Sequence, residues 1–188
     1  MQWTIPGTVL TAQREDASNI EKDFKAMFLG GGIMLSQVSA ITGLEPYDVQ
    51  NWVKRKLLTP PVQKRYDINH LCRILNINML KKVLLMEQIT GLLSYINGQL
   101  GDRSDDVIDD SQLYFMFVRL ASGASTRHDP AQWDEAISAA LSDYVEPVPG
   151  AKDRVEKVLR IMLTAWAAAK LHDRAETMVA TLFNKETE

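Results

Sequence analysis

Apolar residues recur at three- and four-residue spacing through most of the chain, and no strand-like alternation of useful length interrupts them. Ile20, Phe24, Met27 and Phe28 share one side of a helix predicted over Asn19–Leu29, preceded by an aperiodic stretch at 1–18. Gly30-Gly31-Gly32 follows, and three glycines in a row are expected to form a flexible joint. From Leu35 a helix turns Val38 and Ile41 inward and closes at Thr42-Gly43, where the glycine suits a left-handed C-cap. Pro46 suits the first turn of a second helix running to Lys54, with Val49, Trp52 and Val53 on its inner stripe. Two short helices joined by a tight glycine-containing turn predict a helix-turn-helix.

The stretch from Thr59 to Tyr66 cannot be helical, because Pro60 and Pro61 remove donors and push their predecessors to extended geometry. A loop or small wing is expected there. Asp67 is a good N-cap for the next helix, in which Ile68, Leu71, Ile74, Leu75, Ile77, Met79 and Leu80 leave little room for a polar face. Further helices are predicted over Glu87–Ile96, Ser111–Ala121, Pro130–Tyr144 and Lys152 to about Phe183. The expected fold is all-α, a winged helix-turn-helix followed by a helical C-terminal half. Its segments are an N-terminal extension at 1–32, a DNA-binding unit at 33–100, and a helical region at 101–188 whose expected role is structural or dimerising, with effector sensing as the alternative.

Charge sharpens the picture only when it is counted locally. Residues 1–45 carry 3 Lys/Arg against 5 Asp/Glu, residues 46–82 carry 8 against 2, and residues 83–188 carry 10 against 17. The whole-chain net charge of −3 therefore hides a segment of +6, the footprint of a surface that meets polyanions. The single cysteine, Cys72, excludes an intramolecular disulfide and suits a reducing compartment. The N-terminus lacks the basic and apolar regions of a signal peptide, and no apolar run nears the roughly 20 residues of a membrane span. A cytoplasmic protein with no membrane partner is expected.

The passage Leu35-Ser36-Gln37-Val38, Thr42-Gly43, Asn51 to Leu58, Pro60-Pro61, Arg65-Tyr66 resembles the N-terminal domain of MerR-type regulators. Trp52, Leu57, Leu58, Pro60 and Tyr66 stand where that family places its aromatics, its Leu-Leu-Pro passage and the tyrosine ending its wing. Residues from about Asn51 to Tyr114, including Leu92 to Gly98, also resemble a bacterial family known as domain of unknown function 1836. These likenesses imply a winged helix-turn-helix that binds DNA. Gln50 stands where MerR regulators usually carry a basic residue, and the wing from Thr59 to Arg65 is shorter and less basic than theirs.

On the second helix the positions facing away from the core are Tyr47, Asp48, Gln50, Asn51, Lys54 and Arg55. Gln and Asn can pair with adenine edges and Arg with guanine, while Lys54, Lys56 and the wing's Lys64 and Arg65 suit phosphates. The expected DNA-binding set is Tyr47, Gln50, Asn51, Lys54, Arg55, Lys56, Lys64 and Arg65. An alternative is an interaction module that uses the same basic face against an acidic protein.

Asp105-Asp106-Val107-Ile108-Asp109-Asp110 resembles the aspartate-rich stretch with which isoprenoid synthases hold magnesium diphosphate, but those enzymes use two such stretches. An acidic loop before a helix N-cap at Ser111 is the expected reading. His70, His128 and His172 are isolated and Cys72 lies on a core helix, so neither a catalytic or metal site nor a cofactor is expected. His70 is expected on a helix surface. The segment from Leu113 to Val118, with Trp133 and Trp166, is a candidate lining for a small-molecule effector pocket. A homodimer is expected through the seam Val155, Val158, Leu159, Met162, Trp166 and Ala169, where small Ala165, Ala167 and Ala168 permit close approach, unless that seam packs within one chain.

Overall fold

The computed structural model describes residues 2–102, 104–124 and 130–184. Among these, eight α-helices account for most of the chain: α1 (Ala17–Met27), α2 (Leu35–Thr42), α3 (Pro46–Lys54), α4 (Ile68–Leu80), α5 (Met86–Asn97), α6 (Asp110–Ala124), α7 (Pro130–Ala140) and α8 (Ala151–Asn184). None is long and apolar enough to cross a membrane among the described residues. Among the described residues, strand is confined to two short antiparallel pairs. β1 (Gln2–Thr4) pairs with β2 (Thr11–Gln13), and β3 (Ile33–Met34) pairs with β4 (Arg65–Tyr66).

α4 is the centre. Leu71, Cys72, Ile74, Leu75 and Leu80 are fully buried, as its nearly continuous apolar pattern requires. It packs against α2, α6 and α8, while α6 also meets α1, α7 and α8. One hydrophobic cluster thus runs from Trp3 to Trp166, and the segments 1–32, 33–100 and 101–188 all feed it.

The N-terminal stretch, aperiodic in sequence, forms the β1–β2 hairpin. Its strands are three residues long, too short to announce themselves by alternation. Trp3 and Ile5 are buried, Pro6 O accepts from Tyr114 Oη at 2.8 Å, and Gly7 O accepts from Asn78 Nδ2 at 2.9 Å. Gly7 sits at φ 76°, where an added Cβ would stand 2.5 Å from Leu75 O, so only glycine lets the arm lie against α4.

The triple glycine is a tight turn rather than a loose joint. Gly31 N donates to Phe28 O at 3.0 Å, and Gly32 is pressed so close to β4 that a Cβ would meet Tyr66 O at 2.9 Å.

The seam along α8 is spent inside one chain. Val155, Val158, Leu159 and Met162 have no exposure, Trp166 and Ala169 have 6% each, and α8 contacts α4, α5, α6 and α7. Each buried aliphatic side chain there contributes about 1.5–3 kcal/mol, which makes the first half of α8 part of the core and corrects its expected role in dimerisation.

Candidate nucleic-acid interface

α2 and α3 meet through a three-residue turn whose geometry follows from the Gly43 backbone and the Thr42 side chain. Gly43 adopts φ 71° as the C-cap of α2, and Thr42 Oγ1 donates to Val38 O at 2.8 Å while accepting from Leu44 N at 3.1 Å. Pro46 opens α3, and Val49 and Trp52 anchor it with 0% and 6% exposure. With about 100° of rotation per residue, Tyr47, Gln50, Asn51, Lys54 and Arg55 then occupy the opposite arc. Tyr47, Gln50, Lys54, Arg55 and Lys56 are exposed and Asn51 is half-buried.

α3 ends in a Schellman arrangement. Leu57 N donates to Trp52 O at 2.9 Å and Lys56 N to Val53 O at 3.1 Å, with Lys56 at φ 57° where a glycine is usual. The expected wing is a two-residue hairpin. Val62 and Arg65 exchange backbone hydrogen bonds of 3.1 and 2.9 Å, and the connecting Gln63 and Lys64 both have positive φ, 50° and 63°. That is the pattern of a type I′ turn, built here without asparagine or glycine. Two residues of the predicted set, Lys56 and Lys64, and Gln63 beside them are therefore non-glycine residues in left-handed geometry, and strain of this kind concentrates at functional positions.

The hairpin faces α3 across a groove of about 630 Å³. Gln50, Lys54 and Lys64 line it together with Met34, Val53, Pro61 and Tyr66. Among the described residues, Lys54, Arg55, Lys56 and Lys64 have no ion-pair partner. Arg65 is drawn back instead, its Nη1 donating to Gly32 O at 2.9 Å. Sequence reasoning missed Lys81, whose Nζ lies 5.6 Å from the Trp52 ring centroid behind α3. Its place at the end of α4 gave no hint of that proximity.

Behind the site a polar cluster ties α3 to α6. Arg73 on α4 is 7% exposed; its Nε donates to Leu57 O at 2.8 Å and its Nη1 lies 3.2 Å from Asp110 Oδ2. Burial holds the Asp110 carboxyl above its ordinary range, against the opposing pull of Arg73. His70, expected on a surface, is 9% exposed, because its backbone N donates to the Asp67 cap at 2.8 Å and its Nε2 lies 2.9 Å from Thr59 Oγ1. Cys72 is fully buried, and burial pushes its thiol well above the usual range.

The aspartate stretch is occupied by structural tasks. Asp105 Oδ2 accepts from Gln99 N at 2.9 Å, Asp110 faces Arg73, and Asp109 Oδ1 accepts from Ser111 Oγ at 2.7 Å and Gln112 N at 2.8 Å. The cap of α6 is thus Asp109 rather than the expected Ser111. Among the described residues, the potential metal ligands that converge are His172, Asp173 and Glu176 on α8, away from this stretch, and Asp173 already pairs with Lys82 at 3.2 Å. His128 lies outside the described residues.

Residues 34–117 match a family described as "Domain of unknown function (DUF1836)". The match runs from β3 to within α6 and so contains α2, α3, the hairpin and α4. A relative described as "Uncharacterized protein YkrK", from Bacillus subtilis (strain 168), is 31% identical over 86 residues, which are 44% of this chain and 37% of that protein. This chain therefore spans little more than a third of that relative's length. No solved structure matches.

Proposed function

We propose that the chain is a DNA-binding transcriptional regulator, not an enzyme, in which α2, α3 and the 62–65 hairpin act as a MerR-like winged helix-turn-helix. The observation that carries this reading is the set of exposed cations Lys54, Arg55, Lys56 and Lys64, none neutralised by a carboxylate among the described residues. α3 presents Gln50, Asn51 and Arg55 for base edges, and the hairpin brings Lys64 beside Lys54 for a phosphate path. Such a protein works in the cytoplasm, where its DNA is.

Binding to duplexes recovered by genomic selection tests the reading. The affinity should fall steeply with salt, and the Lys54→Ala/Lys56→Ala/Lys64→Ala/Arg65→Ala variant should lose about 0.9 from the log-log slope for each phosphate contact removed. A folded quadruple variant with the parent slope would remove the assignment.

The reading includes a homodimer, because one short recognition helix reads few base pairs and tight binding uses two half-sites about 34 Å apart. The distal half of α8 supplies a seam for it. Ala175, Met178 and Leu182 are exposed and follow the three-four spacing of a coiled coil. Met178→Asp/Leu182→Asp should sediment as a monomer and lose tight binding to a palindromic site. A dimeric double variant would place the interface elsewhere.

A second reading, an interaction module for an acidic protein, is favoured by the apolar floor that Met34, Val53 and Pro61 give the groove between α3 and the hairpin. Failure of genomic selection to enrich any duplex would favour it.

A further inference from the structure

A cleft of about 570 Å³ lies between β1, α7 and α8, a volume within the range of small-molecule sites. Trp3, Trp133 and Trp166, three of the four tryptophans, form its apolar lining, and their exposures of 6%, 8% and 6% show rings that meet the cleft by an edge or a face. Arg14, Lys170 and Arg174 also line it, while among the described residues no aspartate or glutamate does. This is a strongly cationic cleft on a chain whose last hundred residues are acidic.

Two buried donors in the same wall have no acceptor among the described residues. They are Trp3 Nε1 and Arg14 Nε, in side chains that stack with the Arg14 guanidinium carbon 5.6 Å from the Trp3 ring centroid. Lys170 and Arg174 are exposed and have no ion-pair partner among the described residues. Exposed cations beside the edges of aromatic rings suit a ligand that brings an anionic acceptor on an apolar body, and the two buried donors add to the positive polarity of that wall. The residues anticipated for an effector pocket divide on this point. Phe115, Phe117 and their neighbours in the 113–118 segment are core, whereas Trp133 and Trp166 line the cleft.

We infer that this cleft is a binding site for a small aromatic carboxylate, its ring system packed against Trp3, Trp133 and Trp166 and its carboxylate held by Arg14, Lys170 and Arg174. All six residues fall outside the family-matched segment 34–117, so the site belongs to the parts of the chain that surround that segment. The inference does not depend on the DNA-binding reading, and either can fail alone.

The test is a titration of the full-length chain with 1-naphthoate, its neutral counterpart 1-naphthalenemethanol, and inorganic phosphate, followed by calorimetry and tryptophan fluorescence. Naphthoate should bind saturably at one site per chain and about tenfold or more tighter than the alcohol, and phosphate should not displace it. Lys170→Glu/Arg174→Glu should weaken naphthoate by about tenfold or more and leave the alcohol unchanged. Both positions are exposed, and Lys170→Gln/Arg174→Gln gives the same comparison should the reversal variant unfold. No saturable binding, equal affinity for acid and alcohol, or unchanged naphthoate affinity in a folded variant would each overturn the site.

Discussion

Replacing Gln63-Lys64 with Asn-Gly separates the stability of the hairpin from its charge. Both residues sit in left-handed geometry, at φ 50° and 63°, which costs an ordinary side chain roughly 1–2 kcal/mol per residue. Glycine at 64 removes that strain but gives back about 0.5–1 kcal/mol through the greater freedom of the unfolded chain. Asparagine at 63 tolerates the geometry better than glutamine and adds a few tenths of a kcal/mol. The net expectation is about 1 kcal/mol of added stability, a rise in Tm of about 2–4 °C for a chain of this length. Urea and thermal unfolding followed by circular dichroism measure it. On the proposed DNA-binding reading the affinity should move the other way, because Lys64 is exposed with no ion-pair partner among the described residues, and its loss should reduce the salt slope by about 0.9. Gln63→Asn alone should stabilise slightly and leave the slope unchanged. A Tm below the parent's for the double variant would show that the type I′ assignment is wrong.

Arg73→Met leaves Asp110 buried without its cation and should cost about 3–5 kcal/mol near neutral pH. The Asp110 carboxyl is already raised in the folded state, and losing Arg73 raises it further, so the folded protein holds this proton more tightly than the unfolded chain. Stability linked to that proton is present below the unfolded value of 3.8 and is lost as pH rises through the folded value, so the variant's deficit should grow from pH 4 to pH 7 in denaturant titrations. A pH-independent deficit would contradict this. Gly98→Ala forces a side chain onto φ 50°, ψ −125° and a Cβ to within 1.9 Å of Asp105 Oδ2. It should cost about 2–4 kcal/mol in backbone strain and the lost Asp105 hydrogen bond to Gln99 N, read as a lower urea midpoint.

Periodicity together with proline, glycine and capping signals located the eight α-helices to within a few residues, though not the 3-10 turn Arg14–Asp16, and it placed α3 at Pro46–Lys54 because Pro46 and the Val49-Trp52-Val53 stripe leave one solution. The Gly43 cap, the Asp67 cap and the core character of α4 were legible for the same reason: each is a local preference expressed within a turn or two of chain. The unpaired cations of the proposed interface were legible too, since +6 over 37 residues leaves few acidic partners nearby. Tertiary structure decided the rest. The β1–β2 hairpin exists because Trp3, Pro6 and Gly7 find α4 and α6 more than 65 residues away, a contact no local pattern encodes. His70 became buried once Thr59 and Asp67 closed over it, and the apolar seam of α8 turned inward because α4 to α7 offered it a core. The tryptophan cleft is the clearest case: residues 3, 14, 133, 166, 170 and 174 converge only after both ends of the chain pack together. Side-chain spacing along a helix is set by its own geometry, whereas the meeting of distant segments is set by how the whole chain buries its apolar surface.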